Sequence, residues 1–264
     1  MSSYAITGAA RGIGFEFVNQ LSTDPENTVF ALVRSKTTAD RLVALGRPNV
    51  HILEADITNT NGLKYAAAEV ARITGSSLDY LINNAGFVES ERDGLTLESY
   101  SSEELLTKDL LDSFKVNVVG VIHTINIFLP LLKNGKAKKV VTISSGVGDL
   151  DLTIGFEIAT FAPYSISKAA VNMANAKYAA QYKSEGFVFL AISPGVVDTS
   201  TRPPTADELE RFNVMIGKLR KVYPDFTGPI TPETSVRMQL EVINRTTVDD
   251  TGAFISHKGN KEWL

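Results

Sequence analysis

Thr7-Gly8-Ala9-Ala10-Arg11-Gly12-Ile13-Gly14 joins a short apolar run, Tyr4-Ala5-Ile6-Thr7, to a helical pattern over Gly14–Ser22. Glycines in such a turn allow a tight bend, close approach of a bound group to the backbone, and close packing of helix on strand. A helix starting here offers free N–H groups and the positive end of its dipole, which suits a phosphate. The spacing is G-x-x-x-G-x-G rather than G-x-G-x-x-G, so the glycines by themselves are compatible with plain turn chemistry. Their place decides the reading: strand before, helix after, at the start of a βαβ unit.

Working outward, short β-branched runs alternate with longer amphipathic stretches along the chain. Strands are expected near Tyr4–Thr7, Thr28–Val33, Val50–Glu54, Leu78–Asn83, Lys139–Ser144, Val188–Ser193 and Ala253–Ser256. Helices are expected over Gly14–Ser22, Thr38–Leu45, Thr60–Ile73, Leu105–Leu132 with a break, Pro163–Lys183 and Pro232–Asn244. The strands are apolar on both faces, as in a parallel sheet covered by helices on both sides. The 264 residues suffice for one large domain, a doubly wound, Rossmann-type α/β fold with a seven-stranded parallel sheet. One stretch breaks the rhythm. Thr199–Thr231 holds Pro203, Pro204, Pro224 and Pro229 around a charged helical piece, Ala206–Lys221, and reads as a lid or substrate loop.

Composition narrows the class. Hydrophobic residues make up 44% and charged residues 21%, ordinary for a globular chain, and a net charge of -4 gives no nucleic-acid footprint. The absence of Cys excludes a disulfide framework, a zinc-thiolate site and a thiol nucleophile. His51, His123 and His257 show no metal-ligand spacing and read as surface or packing residues. The first strand begins almost at Met1, leaving no room for a leader, and no apolar run approaches the ~20 residues that span a bilayer. The longest, around Val116–Leu132, contains Asn117, His123, Asn126 and Pro130. A cytoplasmic protein without membrane or nucleic-acid partners is the expectation.

Two further stretches carry chemistry. Tyr164-Ser165-Ile166-Ser167-Lys168 puts a phenol and an ammonium one helical turn apart. A cation beside a phenol favours the phenolate and draws its pKa down toward neutrality, as a proton donor or acceptor requires. Upstream, Val140-Val141-Thr142-Ile143-Ser144-Ser145 reads as a buried strand delivering a hydroxyl to its carboxyl end. In dinucleotide-binding folds an acid at the end of the second strand holds the 2′-hydroxyl of NAD. Here that place reads Leu32-Val33-Arg34-Ser35-Lys36, with no carboxylate. Arg34, with Arg11 in the glycine turn, suits a 2′-phosphate instead, so NADP(H) is expected over NAD(H).

Taken in order, Thr7–Gly14, Asp56, Asn83-Asn84-Ala85-Gly86, Asn117, Ser145, Tyr164, Lys168 and Pro194-Gly195-Val196-Val197-Asp198-Thr199 resemble the short-chain dehydrogenase/reductase family in its compact form, across nearly the whole chain. More loosely, the chain looks like ketoreductase and carbonyl reductase members. The resemblance implies that Gly8, Arg11, Gly12, Ile13 and Gly14 cradle the cofactor phosphates and that Asp56 and Ile57 flank the adenine. It implies that Asn83, Ala85 and Gly86 line the ribose, that Pro194, Gly195 and Val197 pass the nicotinamide, and that Thr199 caps that end. Tyr164 would be the proton donor, Lys168 would lower its pKa and hold the nicotinamide ribose, Ser145 would orient the substrate oxygen, and Asn117 would position a water next to Lys168. A homodimer or homotetramer through the helices over Leu105–Leu132 and Pro163–Lys183 is implied as well, with a monomer as the alternative where the connection before Tyr164 blocks that packing.

The chain departs from the family pattern between Ser145 and Tyr164, where the connection is longer than usual. Asp149–Ala162 is expected to reshape the substrate mouth, and the departure leaves Ser144 as an alternative to Ser145. Asp149, Asp151 and Glu157 read as a solvated acidic loop rather than a cation site. Phe87, Val88, Phe156, Phe161, Phe212 and Met215 are candidates for an apolar substrate wall or for core. The expected activity is NADPH-dependent interconversion of a ketone or aldehyde with an alcohol. The alternatives are a silent NADP(H)-binding regulatory protein and a relative acting on an imine or as a dehydratase or epimerase.

Overall fold

All seven strands run parallel, in the order β3-β2-β1-β4-β5-β6-β7. They are β1 Ser3–Thr7, β2 Thr28–Val33, β3 Val50–Glu54, β4 Tyr80–Asn83, β5 Lys139–Ile143, β6 Val188–Ser193 and β7 Phe254–Ser256. The helices are α1 Gly12–Leu21, α2 Asp40–Val43, α3 Thr60–Thr74, α4 Glu103–Phe114, α5 Val121–Asn134, α6 Leu150–Gly155, α7 Ala162–Tyr182, α8 Ala206–Val222 and α9 Pro232–Arg245. The structure, a computed structural model, describes residues 1–264.

Strand side chains alternate between faces, and both sets are apolar. Ala5, Phe30, Leu32, Leu81, Val140 and Phe189 enter the layer shared with α3, α5 and α7. Tyr4, Ile6, Val29, Ala31, Ile82 and Val141 enter the layer shared with α1 and α9. The chain crosses from β3 past β1 to β4, so strand order reverses between β1 and β4. In such sheets the crevice at the carboxyl ends of the reversing strands is where ligands bind.

Three elements differ from the sequence expectation. The helix over Thr38–Leu45 shrinks to the single turn of α2, because only Leu42 of that turn finds the core while Val43 stays 66% exposed. The break expected within Leu105–Leu132 is a π turn, Lys115–Gly120, that joins α4 to α5 without ending the helix. Such wide turns cluster at functional sites, and this one contains Asn117. The joined run Glu103–Asn134 is 32 residues long and apolar enough to cross a membrane by composition, which corrects the expectation that no segment reaches that length. Half of its most apolar 18-residue window is buried here, with Val121, Ile125, Phe128, Leu131 and Leu132 in the core.

The third difference is in the long connection before Tyr164. It forms α6, capped by Asp149, whose carboxylate accepts the Leu152 N–H at 3.0 Å. Leu152, Phe156 and Ile158 pack with Ile216 and Leu219 of α8 and with Trp263 in a third apolar cluster, apart from the two that sandwich the sheet. The extra residues therefore build a roof together with α8 and the end of the chain.

Candidate active site

At the carboxyl ends of β1 and β4 lies a cleft of about 1430 Å³ floored by the glycine turn. Gly8 has φ +66, and a Cβ there would lie 2.8 Å from the Ala85 Cα. A Cβ on Gly14 would lie 2.3 Å from the Gly8 carbonyl oxygen and 2.4 Å from Asn84 Nδ2. Gly14 thus serves packing and stays off the cleft surface, which Gly8, Arg11, Gly12 and Ile13 line. The turn is tied to β4 by Asn84, whose amide donates to the Thr7 and Gly8 carbonyls at 3.1 Å each. Thr7 Oγ1 accepts the Asn84 and Ala85 N–H groups at 3.1 and 3.0 Å. This corrects the expectation that Asn83 lines the ribose. Asn83 is 2% exposed within the sheet, and only Asn84, Ala85 and Gly86 of that run line the cleft.

Helices α3, α4 and α9 start from side-chain caps at Asn59, Ser102 and Thr231. Helix α1 starts at Arg11 with no side-chain cap, so its first N–H groups remain for a ligand in the cleft. At the far end, Asp56 Oδ1 accepts the Thr58 N–H and hydroxyl, both at 2.8 Å, and Ile57 is 5% exposed beneath. Arg11 and Arg34 line the cleft, are exposed, and enter none of the ion pairs of the fold. Thr38 and Thr58 line it too; no spacing in the sequence marks them.

Pro194–Val197 closes the opposite end. Ser235 donates to the Pro194 carbonyl at 2.7 Å, and Val197 bridges to Ile230. Gly195 has φ +84, and a Cβ there would sit 2.7 Å from His257 Cε1. Burial lowers the His257 pKa to about 4. Val196, Val197 and Thr199 line the cleft, whereas Pro194 and Gly195 lie behind it. Thr199 Cγ2 would be 3.3 Å from a Cβ on Gly12, so the Pro-Gly turn folds over the glycine turn. An uncapped helix start, a glycine floor and two unpaired arginines fit a dinucleotide carrying an additional phosphate.

The phenol and ammonium stand at the start of α7. Lys168 Nζ lies 5.5 Å from the centre of the Tyr164 ring and donates to the Ile143 carbonyl at 2.7 Å. The Ser145 hydroxyl stands near enough to the Tyr164 phenol to draw its pKa down against burial. Ser144 is 2% exposed and donates to Asn172 Oδ1 at 2.6 Å, so Ser145 is the hydroxyl of the pair that meets the phenol. Asn117 accepts the Phe87 N–H at 2.7 Å and donates to the Phe87 carbonyl and to Ser167 Oγ at 2.8 and 2.9 Å. A Cβ on Gly86 would be 3.5 Å from Asn117 Oδ1 and 3.7 Å from Lys168 Nζ, which sets both beside the edge of the cleft.

The electrostatics correct one expectation. Burial pushes the Tyr164 pKa up to about 12, with the Ser145 hydroxyl pulling the other way, and burial lowers Lys168 to about 8. The sequence spacing predicts that the ammonium lowers the phenol. In the fold both groups lose water, and Lys168 is turned to a carbonyl, so desolvation wins. The phenol is held protonated at neutral pH, next to a hydroxyl and a weakened ammonium. That arrangement can donate a proton to an oxygen that gains negative charge.

Tyr164, Lys168, Ser145 and Asn117 do not line the cleft themselves, and the roof adjoins them. Val147 and Phe161, within three residues of Ser145 and Tyr164, pack against the third cluster together with Met215 and Phe212. Of the candidate wall residues, Phe87 and Phe212 line the cleft, Phe156 is in the cluster, and Val88 is 42% exposed.

This is the fold and site of an α/β oxidoreductase that binds a nicotinamide cofactor, and comparison with known proteins agrees. Residues 3–210 match the short chain dehydrogenase family. The chain is 45% identical to the short chain dehydrogenase virK of Hypocrea virens and 47% identical to the short-chain dehydrogenase/reductase AacuF of Aspergillus aculeatus, each alignment covering 100% of both chains. Its structure is similar to the NADPH-bound carbonyl reductase from chicken fatty liver, with a TM-score of 0.78, 27% identity and 98% of each chain covered. The protein belongs to the short-chain dehydrogenase/reductase family.

Proposed function

We propose that the protein uses NADPH to reduce a ketone or aldehyde of apolar character to an alcohol, or runs the reverse reaction. The observation that carries this reading is the contact of Ser145 with a protonated Tyr164, one turn from Lys168, beside a cleft bearing two unpaired arginines. Bound nicotinamide supplies the hydride. Ser145 orients the carbonyl oxygen, and Tyr164 gives its proton to that oxygen as negative charge develops there. Lys168 offers an ammonium to the phenolate that remains and to the cofactor ribose. Asn117 holds the Phe87 backbone and Ser167 of α7, and so keeps the two sides of the site in register. Arg34 and Arg11 take the 2′-phosphate as planar donors.

The apolar character of the substrate rests on Phe87, Leu209 and Phe212 in the cleft wall and on the apolar roof. Helix α8 serves as the lid whose closure excludes water from the reacting atoms. Exposed Leu111 and Phe114 on α4, with Ile166 and Met173 on α7, support pairing of these helices in a homo-oligomer, which sedimentation across micromolar concentrations reads directly.

The test follows NADPH absorbance over a panel of ketones, aldehydes, quinones and imines. Consumption with apolar ketones or aldehydes is expected, at a higher kcat/KM with NADPH than with NADH. Arg34→Asp should invert or erase that preference, since it removes an attractive charge and adds a repulsive one. NADPH binding without turnover of any compound would indicate the silent regulator, and turnover of imines alone would indicate the other chemistry.

A further inference from the structure

Arg92 and Asp93 are neighbours in the chain but are tied to different elements. Arg92 donates through Nε and Nη2 to Asp109 of α4 at 2.7 and 2.9 Å, and Asp109 is 1% exposed. That paired, buried contact fixes the segment after β4 to the scaffold. Asp93 reaches the other way. Its backbone carbonyl accepts the Phe161 N–H at 2.8 Å, and its Oδ1 lies 3.0 Å from Arg211 Nε of α8. Oδ1 is sealed from solvent with no aligned hydrogen bond, so the Arg211 charge is what compensates it. Gly94 makes room for this: a Cβ there would lie 2.5 Å from Arg211 Cδ.

Phe161 is the residue from which α7 starts, and it holds φ 59, a left-handed conformation that a bulky side chain rarely adopts. Such a conformation persists only where neighbours over-determine it. Here the neighbours are Asp93 at its N–H and the third cluster around its ring. Tyr164 follows three residues later.

We propose that Asp93 is a positioning residue for Tyr164: paired with Arg211, it clamps the lid helix α8 to the start of α7, so that closing the roof and placing the phenol are one event. The proposal rests on the reading of Tyr164 as proton donor and adds to it a physical link from lid to phenol. Removing Arg211 leaves a buried carboxylate oxygen without its partner, which is worse than losing both charges. The two positions should therefore be non-additive in a definite direction.

The test uses the full chain as Arg211→Ala, Asp93→Asn, the double variant and Arg211→Lys, with Lys218→Ala as control. Lys218 ties α8 to the Glu157 carbonyl at 2.7 Å and leaves Asp93 alone. For a ketone that the wild type reduces, Arg211→Ala should lower kcat by about 10- to 100-fold, the scale of a misplaced reacting group, with NADPH affinity unchanged. Asp93→Asn should lose less, the double variant should recover to the Asp93→Asn level, and Arg211→Lys should retain most activity. Hydrogen exchange should quicken over residues 161–168 as well as over α8 in Arg211→Ala, and over α8 alone in Lys218→Ala. A double variant as impaired as Arg211→Ala, or wild-type exchange over residues 161–168 in Arg211→Ala, overturns the proposal. The exchange arm needs no turnover, so a wild type that reduces no carbonyl defeats the proposed function while the clamp still stands or falls on residues 161–168.

Discussion

The cofactor cradle and the roof are held together in different ways. In the cradle, backbone meets backbone: Gly8 against Ala85, Gly14 against the Gly8 carbonyl, with Gly195 set against the ring of His257. In the roof, side chain meets side chain: Leu152, Phe156 and Ile158 against Ile216, Leu219 and Trp263, with ionic ties at the margin. Backbone contacts leave no rotamer to adjust, so each demands one residue type. Side-chain contacts tolerate swaps that conserve volume. The cradle thus admits little change of residue type, and the roof admits more.

Lys168 lies where the two regions meet, and its removal should have the largest effect of the variants that probe them. Lys168→Ala should lower kcat/KM by roughly 10²- to 10⁴-fold and weaken NADPH binding as well, because the phenol and the ribose both lose the ammonium. A loss confined to one of the two would separate the regions there. The pH dependence sharpens the same point. Burial lowers Lys168 to about 8, so above that pH it offers a neutral amine, and NADPH affinity measured by fluorescence should fall as pH rises through 8.

The cradle also carries a pH liability. His257, 4% exposed, is lowered by burial from 6.5 to about 4. Between those values the unfolded chain holds a proton that the folded chain does not. Stability is therefore complete above pH 6.5 and is lost as pH falls toward 4, by up to about 3 kcal/mol. Urea titrations across that window should show the decline in wild type and a flatter profile in His257→Gln. An equal slope in both proteins would remove His257 from the account.

Two glycines give the smallest effects and the most direct contrast. Gly14→Ala forces a Cβ against backbone in the cradle and should cost about 1–3 kcal/mol of unfolding free energy. Gly217 is exposed on α8, and a Cβ there would meet nothing within 4 Å, so Gly217→Ala should gain about 0.5–1 kcal/mol. Denaturant midpoints that shift with the same sign for both would break the contrast between the regions.

The contrast also explains what is legible ahead of the fold. The glycine turn and the Tyr164–Lys168 spacing are local, so the backbone conformations they need are written in consecutive residues. The choice of Ser145 over Ser144 is set by Asn172, far along the chain on α7, and no spacing rule reaches it. The direction of the Tyr164 shift depends on how much water the finished fold removes, so reasoning from one neighbouring charge gives the opposite sign. Asn84 and Asn83 are indistinguishable as consecutive amides, because only the register of β4 beside β1 shows which one reaches the turn. The roof leaves no motif, since its contacts join α6, α8 and the chain end through side chains of no fixed type.

The most direct test is Tyr164→Phe, assayed in parallel for NADPH binding by fluorescence and for ketone reduction by NADPH absorbance. The substitution deletes one hydroxyl and little contact area. The account predicts NADPH affinity close to wild type and turnover reduced by roughly 10²- to 10⁴-fold. Turnover near the wild-type rate in that variant would contradict Tyr164 as the proton donor.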